Sequence, residues 1–305
     1  MNNKLAFIFP GQGSQYIGMD KINSTSTSIL DFSNSLYNTS KQILGYNIKE
    51  IIITGPIEIL NQTNNTQPAI FIQSLIHDYI LKTNNFIPKC VAGHSLGEFT
   101  ALVSAEVISF EDALKIIKIR SEKMKEAGVK KPGTMAAIIG ANDSQINEIC
   151  SQKGIVVPAN YNSDKQVVIS GEIDAIKDAI LKAKVLGIRR AIPLNVSGAF
   201  HSPLMKSARI HLEKVINSID FKNAKIPVYQ NVNALPITDG NKIKDNLIQQ
   251  LESPVRWNQT IINMSNDNYK DFIEVGPGKI LFNLNKKIIP NLSSNYSENI
   301  IKELL

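Results

Sequence analysis

Cysteine is scarce in this chain: Cys90 and Cys150 are the only two in 305 residues. That excludes a disulfide framework and a cysteine metal cluster, and it fits a compartment where thiols stay free. Long apolar runs are missing too. Nothing approaches the roughly 18 uninterrupted apolar residues of a membrane helix, and Leu5 to Phe9 is too short for the core of a signal peptide. A cytoplasmic protein is therefore expected. A dinucleotide fingerprint is also absent, because the glycines of Pro10-Gly11-Gln12-Gly13-Ser14-Gln15 do not fit Gly-x-Gly-x-x-Gly. Charge is nearly balanced, with 33 Lys and Arg against 27 Asp and Glu giving +6. Such an excess would favour encounter with an acidic partner, but an AT-biased composition rich in Asn, Lys and Ile accounts for it more simply. What is present is ample core material, 43% hydrophobic residues, in a length that suits one large α/β domain carrying an insertion.

The chain is organised around Cys90-Val91-Ala92-Gly93-His94-Ser95-Leu96-Gly97-Glu98-Phe99. An apolar strand, a Gly-x-Ser-x-Gly turn and the start of a helix make a nucleophile elbow, which projects a serine hydroxyl off the end of a sheet. Glycines on both sides let neighbouring backbone crowd in. Acyl chemistry on Ser95 needs two preorganised donors for the tetrahedral oxyanion, and losing one typically costs about 3 kcal/mol. In an elbow enzyme one donor is the N–H after the nucleophile, here Leu96, and the other comes from a second strand-end loop. The loop Pro10 to Gln15, which follows a predicted strand Lys4 to Phe9, is placed to supply it.

Two further residues stand out. Ser109-Phe110-Glu111-Asp112 starts a helix, with Gly128 as its expected stop, and Ala113, Ile116, Ile117, Arg120 and Met124 share its apolar face. Arg120 is the one cation on that stripe. Unless its stem snorkels to the surface, its guanidinium needs an anion, either an internal carboxylate or one on a substrate, which it would grip through two parallel hydrogen bonds. His201 lies in Gly198-Ala199-Phe200-His201-Ser202-Pro203, just ahead of a helix start, where the dipole disfavours imidazolium and keeps it a neutral base. The other histidines are weaker candidates: His94 is too close to Ser95 to face its hydroxyl, His77 reads as surface or packing, and His211 reads as structural.

Between Gly133 and Val196 the pattern becomes βαββαβ, with strands Thr134 to Ile139, Ile155 to Asn160, Gln166 to Ser170 and Arg190 to Leu194. The helices are Ser144 to Cys150 and Ile173 to Leu186. This is the ferredoxin-like order. A small domain, residues 129–197, is thus inserted into a larger one formed by 1–128 and 198–305, and is expected to wall one side of a cleft. Asn23 to Ser28 and Asn61 to Thr66 read as surface loops, Pro68 as the first turn of a helix, Asp239-Gly240 as a turn, and the tail beyond Pro290 as peripheral.

Six segments, in order, resemble the malonyl-CoA:acyl carrier protein transacylases of fatty-acid synthesis: FPGQGSQ at Phe9 to Gln15, GHSLGE at Gly93 to Glu98, Arg120 in its helix, GAFHSPLM at Gly198 to Met205, QLESPVRW at Gln250 to Trp257 and EVGPGK at Glu274 to Lys279. The resemblance implies an α/β-hydrolase-like large domain with the ferredoxin-like insertion. It implies Ser95 as acyl acceptor, His201 as its base, Arg120 as the clamp on the malonyl carboxylate, and Gln12 with Leu96 as oxyanion donors. Gln250 would orient His201 through its main-chain carbonyl, and Phe200 would crowd an α-methyl branch. It implies malonyl-CoA and acyl carrier protein as partners, no cofactor and no metal, no nucleic acid and no membrane; we expect a monomer. Phe99, where tyrosine is frequent in the family, and Asp164-Lys165, where Pro-Gly is commoner, depart from the pattern. On the residues alone two rivals stay open: a patatin-like serine hydrolase using a Ser-Asp dyad with Asp239, and a non-catalytic module that only docks carrier protein.

Overall fold

The computed structural model describes residues 4–21 and 26–305. Two sheets organise it. The larger has six strands in the order β10-β9-β1-β2-β7-β8, built from β1 (Lys4–Phe9), β2 (Cys90–Gly93), β7 (Val228–Tyr229), β8 (Pro236–Ile237), β9 (Tyr269–Glu274) and β10 (Ser293–Tyr296). All its pairings are parallel except β7 with β8. Parallel strands are covered by helices on both faces and read as continuous apolar runs, which is why Ala6, Phe7, Ile8 and Phe9 of β1 and Cys90, Val91 and Ala92 of β2 are all fully buried. One core cluster packs Phe7, Phe9 and Val91 on one face, and a second packs Ala6, Ile8, Ala92 and Trp257 on the other.

The smaller sheet holds β3 (Gly133–Ile139), β4 (Val156–Ser163), β5 (Gln166–Glu172) and β6 (Arg190–Pro193) in the antiparallel order β4-β5-β3-β6. Helices Asp143–Ile149 and Ile173–Val185 complete βαββαβ, and Ile146, Ile176 and Ala179 fill a third core cluster beneath the sheet. The expected class, mixed α/β with a parallel-rich sheet and a separate antiparallel unit, is the one observed. Strand β4 is tied to the segment ahead of helix Trp257–Asn266, where Tyr161 N–H donates to Val255 O (2.9 Å) and Val255 N–H donates to Ala159 O (2.8 Å).

Several local expectations need correction. Asn61 to Thr66 is not a surface loop: helix Thr63–Thr83 begins inside it, and Thr63, Asn65 and Thr66 are buried. Their polar groups are used, since Asn65 Nδ2 donates to Ile59 O (2.8 Å) and Thr66 Oγ1 to Leu60 O (2.6 Å). Pro68 sits inside that helix, not at its first turn. The donor it lacks leaves Asn64 O available, and Tyr46 Oη donates to that carbonyl instead (2.9 Å). Of the expected loop Asn23 to Ser28, residues 23–25 lie outside the described residues, and Thr27 already opens helix Thr27–Leu44. Asp239 caps helix Gly240–Gln249, accepting from Asn241 and Lys242 N–H. The tail supplies edge strand β10 and helix Ser297–Leu304, whose buried Ser297 bonds both His77 and Gly276. Helix Phe110–Lys130 runs through Gly128. A Cβ there would lie 2.4 Å from Ser197 O, so this glycine marks where the backbone leading to His201 crosses the helix.

Candidate active site

At the end of β2 the chain turns through His94-Ser95-Leu96 into helix Gly97–Ser104. A Cβ on Gly93 would lie 1.9 Å from the Gly97 carbonyl carbon, and one on Gly97 would lie 2.0 Å from Phe9 O. The elbow and the end of β1 are therefore packed backbone against backbone. Ser95 itself has φ +51°, a left-handed conformation that persists only where surrounding structure over-determines it. His201 has φ +56° and precedes Ser202, whose side chain caps the short turn Pro203–Met205 before helix Lys206–Asn217.

The three candidate groups converge. Ser95 Oγ lies 2.8 Å from His201 Nε2 and 2.9 Å from Arg120 Nη2. His201 Nδ1 faces two carbonyls, Gln250 O (2.9 Å) and Ser253 O (3.0 Å). A carbonyl only accepts, so Nδ1 carries the ring proton and the Nε2 lone pair is turned to the serine. Because Ser95 Oγ accepts from Arg120, its own proton points at His201. Burial first, and the Arg120 charge second, hold the imidazole pKa down at about 3, so at neutral pH it is a neutral acceptor.

Arg120 is 1% exposed. Its Nη1 donates to Gln67 Oε1 (2.8 Å) and its Nη2 also to Gln250 Oε1 (3.2 Å), while its Cζ stands 5.5 Å from the Phe99 ring centroid. These direct partners are neutral, and among the described residues Nε has none. Burial lowers its pKa to about 10, which leaves it charged at neutral pH, with Glu98 acting on it through space in the opposite sense. Among the described residues this buried cation therefore has no direct ionic partner, which is costly unless an anion reaches it.

Ser95, Leu96, Arg120, His201, Phe200 and Gln12 line one cavity of about 210 Å³; Met135, Asn160, Asn162 and Val168 of the small sheet form its other wall. Among the described residues neither Gln12 N–H nor Leu96 N–H has a main-chain or side-chain acceptor. Gln250 is buried behind the cavity, with Nε2 donating to Ser95 O (2.9 Å). His94 lines the same cavity, and its Nε2 bonds Asn162 Oδ1 across to the small sheet (2.9 Å). His77 is buried packing. Three residues with no role assigned from sequence belong to this network: Gln67, Glu98 and Asn231. Of these only Glu98, inside the elbow motif, lay where a sequence signal could have flagged it. Among the described residues no three His, Cys, Asp or Glu side chains gather as metal ligands, and no helix is long and apolar enough to cross a membrane.

A serine hydroxyl, a neutral histidine and a buried guanidinium facing one cavity have the make-up of an acyl-transfer site. Residues 6–298 match the acyl transferase domain family, and the chain belongs to it. Within that family, it is 40% identical over 292 residues to the malonyl CoA-acyl carrier protein transacylase of Staphylococcus aureus, covering 94% of this chain and 92% of that one. An acyl carrier protein S-malonyltransferase from Vibrio cholerae superposes with a TM-score of 0.91 at 40% identity, covering 96% of each chain. A malonyl-transacylase in complex with its type II PKS acyl-carrier protein superposes at 0.89 and 35%, covering 96% of this chain and 94% of that one.

Proposed function

We propose that this chain transfers the malonyl group of malonyl-CoA to the phosphopantetheine thiol of acyl carrier protein through a malonyl ester on Ser95. The observation that carries the reading is the placement of Ser95 Oγ within hydrogen-bond reach of both His201 Nε2 and Arg120 Nη2, at 2.8 and 2.9 Å. His201 takes the serine proton as Oγ attacks the thioester carbon, a general-base contribution of about 10²- to 10⁴-fold. Leu96 and Gln12 N–H groups receive the oxyanion. Collapse breaks the C–S bond, and the leaving thiolate takes the proton from His201. In the second half His201 deprotonates the phosphopantetheine thiol, its sulfur attacks the ester, and Ser95 leaves reprotonated.

Arg120 grips the malonyl carboxylate, and Gln250 holds His201 through its carbonyl in the place of a triad acid. Phe200, beside His201 in the cavity wall, disfavours an α-methyl branch. No cofactor is called for, since a thioester is already activated. The reading divides the chain into 1–128 with 198–305 and 129–197, and takes it as a cytoplasmic monomer that binds neither nucleic acid nor membrane. The rival dyad is disfavoured because the Asp239 carboxylate is committed to capping its own helix. Incubation with malonyl-CoA and no acceptor should leave one malonyl group on Ser95 in the mass spectrum. An unmodified serine would sink the mechanism, and rapid release of free malonate would return the hydrolase reading.

A further inference from the structure

Asn231 lies two residues past the end of β7 and does not line the cavity, yet its side chain holds the main chain on both sides of the strained serine. Its Oδ1 accepts from Ser95 N–H (2.7 Å) and its Nδ2 donates to Gly93 O (2.6 Å). The register explains why those two groups need it. β2 and β7 pair in parallel with Val91 opposite Val228 and Ala92 opposite Tyr229, and Val91 N–H donates to Pro227 O. Carried on by two residues, that ladder would set the Asn231 main-chain N–H on Gly93 O and its main-chain carbonyl on Ser95 N–H. The backbone has turned aside: Asn231 N–H goes to Glu98 Oε2 (2.8 Å), and its carbonyl accepts from Arg256 N–H (3.1 Å). The side-chain amide, a peptide group in miniature, takes the vacated ladder position. Without it Gly93 O and Ser95 N–H would each be left buried and unpaired, beside a residue already at φ +51°.

We propose that Asn231 is a positioning residue for the nucleophile, its side chain continuing the sheet for one step so that Ser95 is held in its left-handed conformation with Oγ on His201. Glu98 acts one layer further out, fixing Asn231 N–H with Oε2 and Gln230 Nε2 with Oε1 (3.2 Å). This rests on Ser95 being the acylated residue.

The test is the single-turnover rate of Ser95 acylation by malonyl-CoA, followed by mass spectrometry, with binding measured calorimetrically in a Ser95→Ala background. Asn231→Ala should acylate about 10²-fold more slowly, the scale of a misplacement near 1 Å. In the Ser95→Ala background the same change should leave malonyl-CoA affinity within twofold, since Asn231 touches no substrate. Asn231→Asp, nearly isosteric, covers the case in which the alanine variant does not fold. Its carboxylate still accepts from Ser95 N–H but opposes Gly93 O, and protonation restores the donor. Its acylation rate should therefore rise as pH falls from 8 to 5.5, a trend the parent lacks. A folded Asn231→Ala that acylates within threefold of the parent, an affinity loss matching the rate loss, or an Asn231→Asp profile parallel to the parent's would overturn the proposal. A parent that gains no malonyl group at Ser95 would overturn the nucleophile assignment itself, and this inference with it.

Discussion

Arg120 touches the same oxygen as His201, so in the proposed mechanism its charge acts on the base as well as on a substrate carboxylate. The guanidinium and the imidazole are joined through Ser95 Oγ by contacts of 2.9 and 2.8 Å. With ~5 Å between charge and ring and an effective dielectric near ~20, Coulomb's law gives ~3 kcal/mol of repulsion against imidazolium. That equals ~2 in pKa, and it acts with burial to hold His201 at about 3. Replacing the guanidinium with an uncharged side chain of similar length, Arg120→Met, should raise the His201 pKa by ~2. Burial keeps it below the ordinary value of 6.5. The sign is fixed: imidazolium cannot accept the serine proton, so the rate falls as pH drops through this pKa.

Acetyl-CoA, which has no carboxylate for Arg120 to hold, isolates the effect. Its single-turnover acylation rate should be level from pH 8 to 5 in the parent and should show an acid limb near pH ~5 in Arg120→Met. With malonyl-CoA and the parent enzyme the bound carboxylate neutralises Arg120. The acid limb of kcat should then lie above that of kcat/KM, because the first reports the complex and the second the free enzyme. Acetyl profiles with the same acid limb in parent and variant, or malonyl limbs that coincide, would refute the coupling of clamp to base.

Three further outcomes are expected. His201→Ala should slow acylation by about 10²- to 10⁴-fold, read by the same quench assay, and an unchanged rate would move the base elsewhere. Gly128→Ala adds a methyl 2.4 Å from Ser197 O. It should lose about 1–3 kcal/mol to overpacking, against about 1 kcal/mol gained in helix propensity, and should also slow acylation; a variant that is more stable in urea and equally fast would show that the crossing is loose. Glu274 is buried at the end of β9, with Oε2 accepting Phe282 N–H (2.8 Å) and Oε1 without a hydrogen-bond partner among the described residues, and burial pushes its pKa up to about 7. The folded state therefore holds a proton that the unfolded state releases near 4.5, and stability is lost as pH rises from there to about 7. Glu274→Gln should gain on the parent by up to about 3 kcal/mol between pH 5 and 8, and an equal difference in urea stability at both pH values would contradict this.

What was legible in the sequence was local. The elbow, the Arg120 stripe, the capped turn after His201 and the βαββαβ order are patterns of neighbouring residues, and the corresponding elements formed within a few positions of their expected ends. The errors share one cause, contacts made outside the element itself. Asn61 to Thr66 has the composition of a loop because Asn and Thr usually serve turns, and only the carbonyls of Ile59 and Leu60 and the Tyr46 hydroxyl make it a helix start around a proline. Gly128 has the look of a stop until Ser197 crosses it. Gln250 is the sharpest case. Its carbonyl fixes the His201 tautomer, its Nε2 holds Ser95 O and its Oε1 accepts a hydrogen bond from Arg120, so one neutral residue touches all three candidate groups. Periodicity does not expose such a residue, because its value lies in three contacts to segments 49 to 155 positions away. The same geometry explains why no acid stood out as the partner of His201. A carboxylate on Nδ1 would raise the imidazole pKa and would compete for the Arg120 charge that the proposed mechanism reserves for a malonyl carboxylate, whereas two main-chain carbonyls orient the ring and leave that charge free.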